Sequence, residues 1–225
     1  MEHPKRSTTP YRALQIIAGL VALSLIAGGC AITRSQVALG AQAVANPASG
    51  TALKIVQVDD GRVFEINPRQ PSIPSLKDDE IGNKEITARA VARKRGGFGK
   101  AFGDVLLPEG QTVAKVVKEA LTRGFRESGY RVLQPGDAGY EEARPITASI
   151  NQFWAWFTPG FWAITLECQA DVQIRGDAGP FQAGDAVQAY ARQSGMAATD
   201  DSWKEIVEKG VEDLVKNLRA KLEGK

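Results

Sequence analysis

Histidine is nearly missing from this chain of 225 residues, and cysteine is almost as scarce, with one of the first and two of the second. The one histidine, His3, stands close to the N-terminus, so nothing downstream of it can supply an imidazole. That excludes Ser–His–Asp and Cys–His catalysis from the body of the chain, and with them the commonest transition-metal ligand. No Gly-x-Ser-x-Gly and no Ser-x-x-Lys follows Cys30. Cysteines at 30 and 168 alone cannot make a disulfide framework. Charge of one sign is lacking too: 28 basic against 26 acidic residues, and 25 of each once residues 1–29 are set aside. A nucleic-acid surface needs a basic excess on one face, and none is indicated. No catalytic residue, metal site, nucleotide or other cofactor is therefore expected.

What is present begins at the N-terminus. Lys5, Arg6 and Arg12 precede an apolar stretch from Leu14 to Ala27, broken only by Gln15 and Ser24. Small residues then lead through Gly28 and Gly29 into Cys30. This three-part layout is a secretory signal, too short to span a bilayer comfortably as an ordinary helix. Ala27-Gly28-Gly29-Cys30 resembles a lipobox, with alanine in place of the usual leucine three residues before the cysteine. An ordinary signal peptide or an anchor helix with a chance cysteine is the competing reading. The lipobox reading makes 1–29 a removed signal, Cys30 the acylated N-terminus, and the membrane the first partner. Ala31 after the cysteine, not aspartate, resembles the enterobacterial outer-membrane sorting pattern. A periplasm-facing protein has no ready supply of ATP or reduced nicotinamide, which argues further against nucleotide chemistry.

Residues 31–50 are rich in Ala, Gly, Ser, Asn and Pro and read as a flexible tether; about 20 residues of coil would span roughly 25 Å. Residues 51–225 suit one globular domain. Leu53–Val58 is a β-rich run, followed by the turn signal Asp59-Asp60-Gly61 and a second short run at 63–66. Pro68, Pro71 and Pro74 exclude central strand. Ile86–Ala92 reads as strand. Arg93–Gly103 reads as a mobile basic loop; it fails the phosphate-loop pattern, since Lys94 stands at the first glycine and Ala101 replaces Ser/Thr. Contact with lipid phosphate or an acidic partner is its alternative use.

Two amphipathic helices are clear. Val113, Val116, Val117, Ala120, Leu121 and Phe125 share one face, with Thr112 placed to cap and Gly129 to stop. Trp203, Ile206, Val207, Gly210, Val211, Leu214, Val215 and Leu218 share another, with Ser202-x-x-Glu205 as a capping box. Gly124 and Gly210 sit mid-helix, where glycine costs about 0.5–1 kcal/mol relative to alanine; close packing is the expected compensation. Between the helices, Trp162 to Ile174 alternates apolar and polar residues as a half-buried antiparallel strand. Cys168 lies on its inward parity and reads as a small buried hydrophobe. Ile146, Ala148 and Ile150 begin a preceding strand, and 183–192 supplies one more.

The segment 153–162 holds Phe153, Trp154, Trp156, Phe157, Phe161 and Trp162 around Thr158-Pro159-Gly160-Phe161, a type II turn signal. Strict alternation assigns the three tryptophans to the core and Phe153, Phe157 and Phe161 to the opposite face. Either another element covers those phenylalanines or they form a contact surface for a partner, ligand or membrane interface. They are the candidate partner-binding residues. Paired acids (Asp59-Asp60, Asp78-Asp79-Glu80, Glu141-Glu142, Asp200-Asp201) fit solvated turns and caps, though a carboxylate-only hydrolase needs no histidine.

The export signal, Cys30, the first strand, Ile81-Gly82, the helix ending in Gly129-Tyr130-Arg131-Val132, the later strands and the helix after Ser194-Gly195 together resemble the YajG-type lipoproteins, over about residues 52–222. The Asp-x-Arg that this family carries after its first strand matches Asp60-Gly61-Arg62, with Asn67-Pro68-Arg69 as a competing alignment. The expected fold is α+β: an antiparallel or mixed sheet with two amphipathic helices packed on one face. The expected function is a non-enzymatic binding or scaffolding module, an outer-membrane lipoprotein with an envelope protein partner. The alternatives are an accessory lipoprotein of a lipid or polysaccharide export complex, or the carboxylate-only hydrolase.

Overall fold

The longest strand sets the architecture. In a computed structural model that describes residues 34–40, 42–95 and 100–224, the strands are β1 (Ser35–Gln36), β2 (Ala52–Asp60), β3 (Ala90–Arg95), β4 (Ala101–Leu106), β5 (Arg131–Val132), β6 (Arg144–Pro159), β7 (Ile164–Gly176) and β8 (Asp185–Gly195). The helices are α1 (Lys84–Thr87), α2 (Val113–Glu127) and α3 (Asp200–Leu222), with a 3-10 turn at Gly179–Gln182. All eight strands join one mixed sheet. One edge of β6 pairs along its length with β7, antiparallel, and β7 pairs with β8. The other edge is shared: its first half takes β2 in parallel, from Leu53↔Arg144 to Asp60↔Ile150, and its second half meets β3 at Ala92↔Ala155. β4 runs antiparallel to β3, and β1 parallel to β4. The fold is α+β.

α2 and α3 pack on the same face of this sheet. Val113, Val117, Leu121 and Phe125 from α2, with Trp203, Ile206, Leu214 and Leu218 from α3, meet Ile146, Ile150, Cys168, Val172 and Ile174 in one buried cluster. Each fully buried residue of this size contributes about 1.5–3 kcal/mol, which is why these stripes decide the fold. Glycine makes the closest approaches possible. A Cβ on Gly124 would lie 2.6 Å from Leu218 Cδ2, and one on Gly210 2.6 Å from Cys168 Sγ. The first glycine lets α2 close on α3, and the second lets α3 close on β7. α3 also closes the open edge of β8: Asp213 accepts the Tyr190 N–H at 3.0 Å, and Asn217 donates to the Gln188 carbonyl at 2.9 Å. An edge strand with its polar groups occupied is a poor template for further strands.

Several local expectations shift. Ile86–Ala92 is not one strand: Asn83 accepts from the Glu85 and Ile86 N–H groups and starts α1, and β3 begins at Ala90. Arg93–Arg95 and Ala101–Gly103 are strand and not loop, since they pair as the two arms of a hairpin. α3 starts three residues early, because Thr199 caps it through the Ser202 N–H at 3.2 Å. Most consequential is the stretch read as a free tether. Ser35–Gln36 pair with β4, and Val37 and Leu39 are buried. Asn46 exchanges two hydrogen bonds with the Val132 backbone, and Arg126 donates to the Val44 carbonyl at 2.7 Å. A period of two, Ser35-Val37-Leu39, was hidden among small residues and is enough to seat the chain. No helix among the described residues is long and apolar enough to cross a membrane.

Candidate functional site

β6 carries the candidate aromatic residues, and its register decides their fate. Up to Ile150, even positions face the helices. The pairing with β7 then shifts between Ile150 and Gln152, a one-residue bulge. Bulges leave one residue unpaired and reset which side chains face inward. Beyond it the odd positions face the helices. Phe153 is fully buried there, and Phe157 is partly buried with its ring edge-on to Trp203 at 6.5 Å. Neither can serve as an exposed contact, so the reading of Phe153 and Phe157 as partner-binding residues is corrected. Trp154 and Trp156 are buried as expected, but on the opposite face of the sheet. They form a second cluster with Leu76, Ala90 and Leu106, beneath Phe64, Ile81 and Ile86.

The hairpin tip lies two residues beyond the expected turn. The Gly160 N–H donates to the Ala163 carbonyl at 2.9 Å, leaving Phe161 and Trp162 as the two loop residues. Phe161 is 88% exposed and Trp162 82%. Phe161 thus keeps its candidacy, and Trp162 joins it in place of its expected burial. Their rings pack edge-to-face at 4.7 Å. Ile164 pairs with Gly195, which sets Met196, 85% exposed, beside the tip. β3 is parallel to β6, so β4 begins at this end too, with Phe102 and Lys100 both exposed.

The start of β1 is fastened four residues along β4 from this end. Lys94 and Ser35 are hydrogen-bonded to each other, Ser35 donates to Asp200 at 2.5 Å, and Lys94 pairs with Asp200 at 3.2 Å. The Ser35 hydroxyl first, then Lys94, hold the Asp200 carboxyl below its ordinary value. One residue earlier, Arg34 pairs with Glu80 at 2.7 Å and Asp104 at 3.3 Å. Asp104 is buried, and that burial pushes its carboxyl up against the opposing pull of Arg93 and Arg34.

Asp60-Gly61-Arg62 is a built structural unit. The Arg62 guanidinium is fully buried and grips Asp60 with two side-chain bonds, Nε–Oδ1 at 2.8 Å and Nη2–Oδ2 at 2.7 Å. Its remaining donors reach the carbonyls of Ala90 (2.6 Å), Phe153 (3.0 Å) and Thr87 (2.8 Å). One side chain therefore ties together the end of β2, the start of β3, the bulged part of β6 and the end of α1. Nothing in the composition marked Arg62 for this role; the spacing to Asp60 was the only signal.

Four carboxylates line a groove between α2 and α3, about 350 Å³ in volume, bordered among others by Glu119, Arg123, Glu205, Glu208, Lys209 and Glu212; none of the acid pairs read from the sequence is among them. Most are engaged. Arg123 holds Glu212 through two bonds of 2.7 and 2.5 Å, and Lys209 holds Glu205 at 2.9 Å and keeps its carboxyl low. A general acid needs a carboxyl raised toward neutrality, and Glu205 moves the other way. Cys168 is fully buried and its thiol is pushed up to about 12, the signature of packing. Among the described residues no cluster of three or more metal-ligating side chains occurs. Cys30, the lipidation candidate, lies outside the described residues.

No family model matches this chain, and no curated protein matches it. Among solved structures there is a likeness to a protein known only as uncharacterised, with a TM-score of 0.39 and 7% identity over 83% of this chain and 95% of that one. A second likeness is to a homologue of the neuraminyllactose-binding hemagglutinin from Helicobacter pylori, with a TM-score of 0.28 and 10% identity over 83% and 92%. Both are too distant to carry an argument about function.

Proposed function

We propose that this chain is a membrane-anchored envelope lipoprotein of YajG-like type, acylated at Cys30, whose domain is a non-enzymatic binding or scaffolding module facing the periplasm. The observation that carries the reading is the placing of Ala27-Gly28-Gly29-Cys30. It follows a basic start and an apolar run, and it ends four residues before Arg34, the first described residue that the domain holds in ion pairs. Acyl chains contribute about 0.8 kcal/mol per buried methylene, so an N-terminal cysteine carrying several would hold the protein at a bilayer. Ala31 in the following position favours the outer membrane.

The test is intact mass of the protein extracted from membranes. An N-terminus at Cys30 with the added mass of its acyl chains is expected. A chain that retains residues 1–29 overturns the reading, as does a mature Cys30 without acyl mass.

A further inference from the structure

We propose that the hairpin-tip end of the domain docks directly on the bilayer, with Phe161 and Trp162 inserted at the lipid interface. The inference rests on the Cys30 anchor proposed above and adds to it an orientation and a second, protein-borne contact.

Three observations meet at this end. The first is the leash. From Arg34 to Cys30 there are four peptide steps, at most about 14 Å when fully extended. Arg34 is not free to lengthen it, because Glu80 and Asp104 hold its guanidinium. The second is direction. β1 is parallel to β4, and β4 starts at the tip end, so the chain enters β1 from that end and runs away from it. The third is height. Ser35 is level with Val105, so Arg34 is about level with Asp104, which faces Arg93; Ala92 faces Ala155, which puts Trp156 at the same height. From Trp156 to Pro159 β6 rises three residues, about 10 Å, before Gly160 and the two loop residues. The reach of the leash and the height of the tip are therefore about equal. An anchor at Cys30 leaves no room to hold the domain clear of the lipid, and the part brought to the surface is the part that carries Phe161, Trp162 and Met196.

The chemistry fits the interface. A tryptophan and a phenylalanine in a two-residue turn present a large apolar area on a narrow wedge, and tryptophan favours the headgroup boundary. The neighbouring charges are few and mixed. Lys100 is exposed, Lys94 is spent on Ser35 and Asp200, and Asp200 and Asp201 are exposed. Apolar insertion, and not attraction to anionic lipid, is the dominant contact. An envelope protein on the same tip is the competing occupant.

The four tryptophans make the test selective. Trp154, Trp156 and Trp203 are 1%, 7% and 0% exposed, and Trp162 alone reports on the surface. The mature protein is reconstituted into phosphatidylethanolamine–phosphatidylglycerol vesicles, its mass is taken, and its fluorescence is read with bromine-labelled lipids and with aqueous iodide. Expected are acyl mass at Cys30, quenching by shallow bromine labels that disappears in Trp162→Ser, and protection of Trp162 from iodide. An acylated protein whose Trp162 stays open to iodide and blind to bromine overturns the docking and leaves the anchor standing. A protein without acyl mass that still shows Trp162 quenching supports the docking and overturns the anchor. Absence of both signals overturns both. Iodide protection that requires an added envelope protein, with no bromine quenching, assigns the tip to that protein and overturns insertion.

Discussion

Replacing Gly210 with alanine should destabilise this protein even though alanine is the better helix former. Two opposed effects compete. Alanine for glycine inside a helix gains about 0.5–1 kcal/mol. Against it, the new Cβ of Gly210→Ala would sit 2.6 Å from Cys168 Sγ and 3.3 Å from Cys168 Cβ, deep between α3 and β7. Sulfur and carbon do not approach so closely, so α3 must lift or the thiol must leave its well, and overpacking of this kind costs about 1–3 kcal/mol. The sum is a net loss of up to about 2.5 kcal/mol, centred near 1 kcal/mol.

The cause can be isolated by a second change. Cys168→Ala removes the sulfur and on its own loses a small buried atom, at a cost of about 0.5–1.5 kcal/mol by analogy with other one-atom truncations. In the double variant the 2.6 Å collision is gone and only the 3.3 Å approach of the two Cβ atoms remains. The double should then be no less stable than Cys168→Ala alone, which makes the two changes non-additive by about 1–3 kcal/mol. Urea unfolding followed by tryptophan fluorescence measures this, since Trp203 lies two helical turns from Gly210 in the same core. A Gly210→Ala midpoint equal to or above that of the parent would refute the packing argument. Additive losses in the double would move the cause away from Cys168.

Other outcomes follow from named contacts. Arg62→Lys should cost about 3 kcal/mol, because a single ammonium cannot replace the two bonds to Asp60 and also reach the Ala90, Phe153 and Thr87 carbonyls; urea midpoints within error of the parent would show the staple to be idle. Phe153→Ser should cost at least about 3 kcal/mol, as loss of a fully buried ring does, while Phe161→Ser should stay within about 0.5 kcal/mol; equal losses in thermal melts would contradict the bulge. Asp200 has a lowered carboxyl, so its bond to Ser35 stabilises the fold above the ordinary value of 3.8 and is lost as pH falls through the lower folded value. Amide exchange of Val37, which donates to the Leu106 carbonyl, should therefore accelerate in strong acid beyond its intrinsic rate, and less so in Asp200→Asn; identical profiles in the two proteins would remove Asp200 from the latch.

The helices and β7 were legible because their signal is a sustained period. Thirteen residues of alternation around Cys168, and two stripes each spanning several turns, leave no other face to bury. Even the compensation for Gly124 and Gly210 could be read, since a costly residue on an apolar stripe implies a neighbour that needs the space. What escaped was set by single residues. Asn83 captures two N–H groups and turns an apparent strand start into α1. Thr199, not Ser202, caps α3. A competition between neighbouring residues of similar propensity is decided by tertiary fit, and no window average can see it.

The aromatic segment shows why this matters for function. A strand's side chains alternate strictly, so one unpaired residue exchanges the faces of everything beyond it. Counted through β6 without the bulge, Phe153, Phe157 and Phe161 form one outward set and the tryptophans one inward set. With the shift after Ile150, Phe153 and Phe157 are drawn beneath α3, while Trp154 and Trp156 find cover under the 64–86 segment. Only the residues past the end of pairing escape both cores, and these are Phe161 and Trp162, which no alternation governs. The exposed apolar element of this segment is thus two loop residues and not a strand face. It points along the strand axis, away from the end toward which β1 runs. Under the anchoring proposed above, a tip of this direction would orient the domain at a membrane, where a strand-face patch or a tether of twenty free residues would give no such orientation.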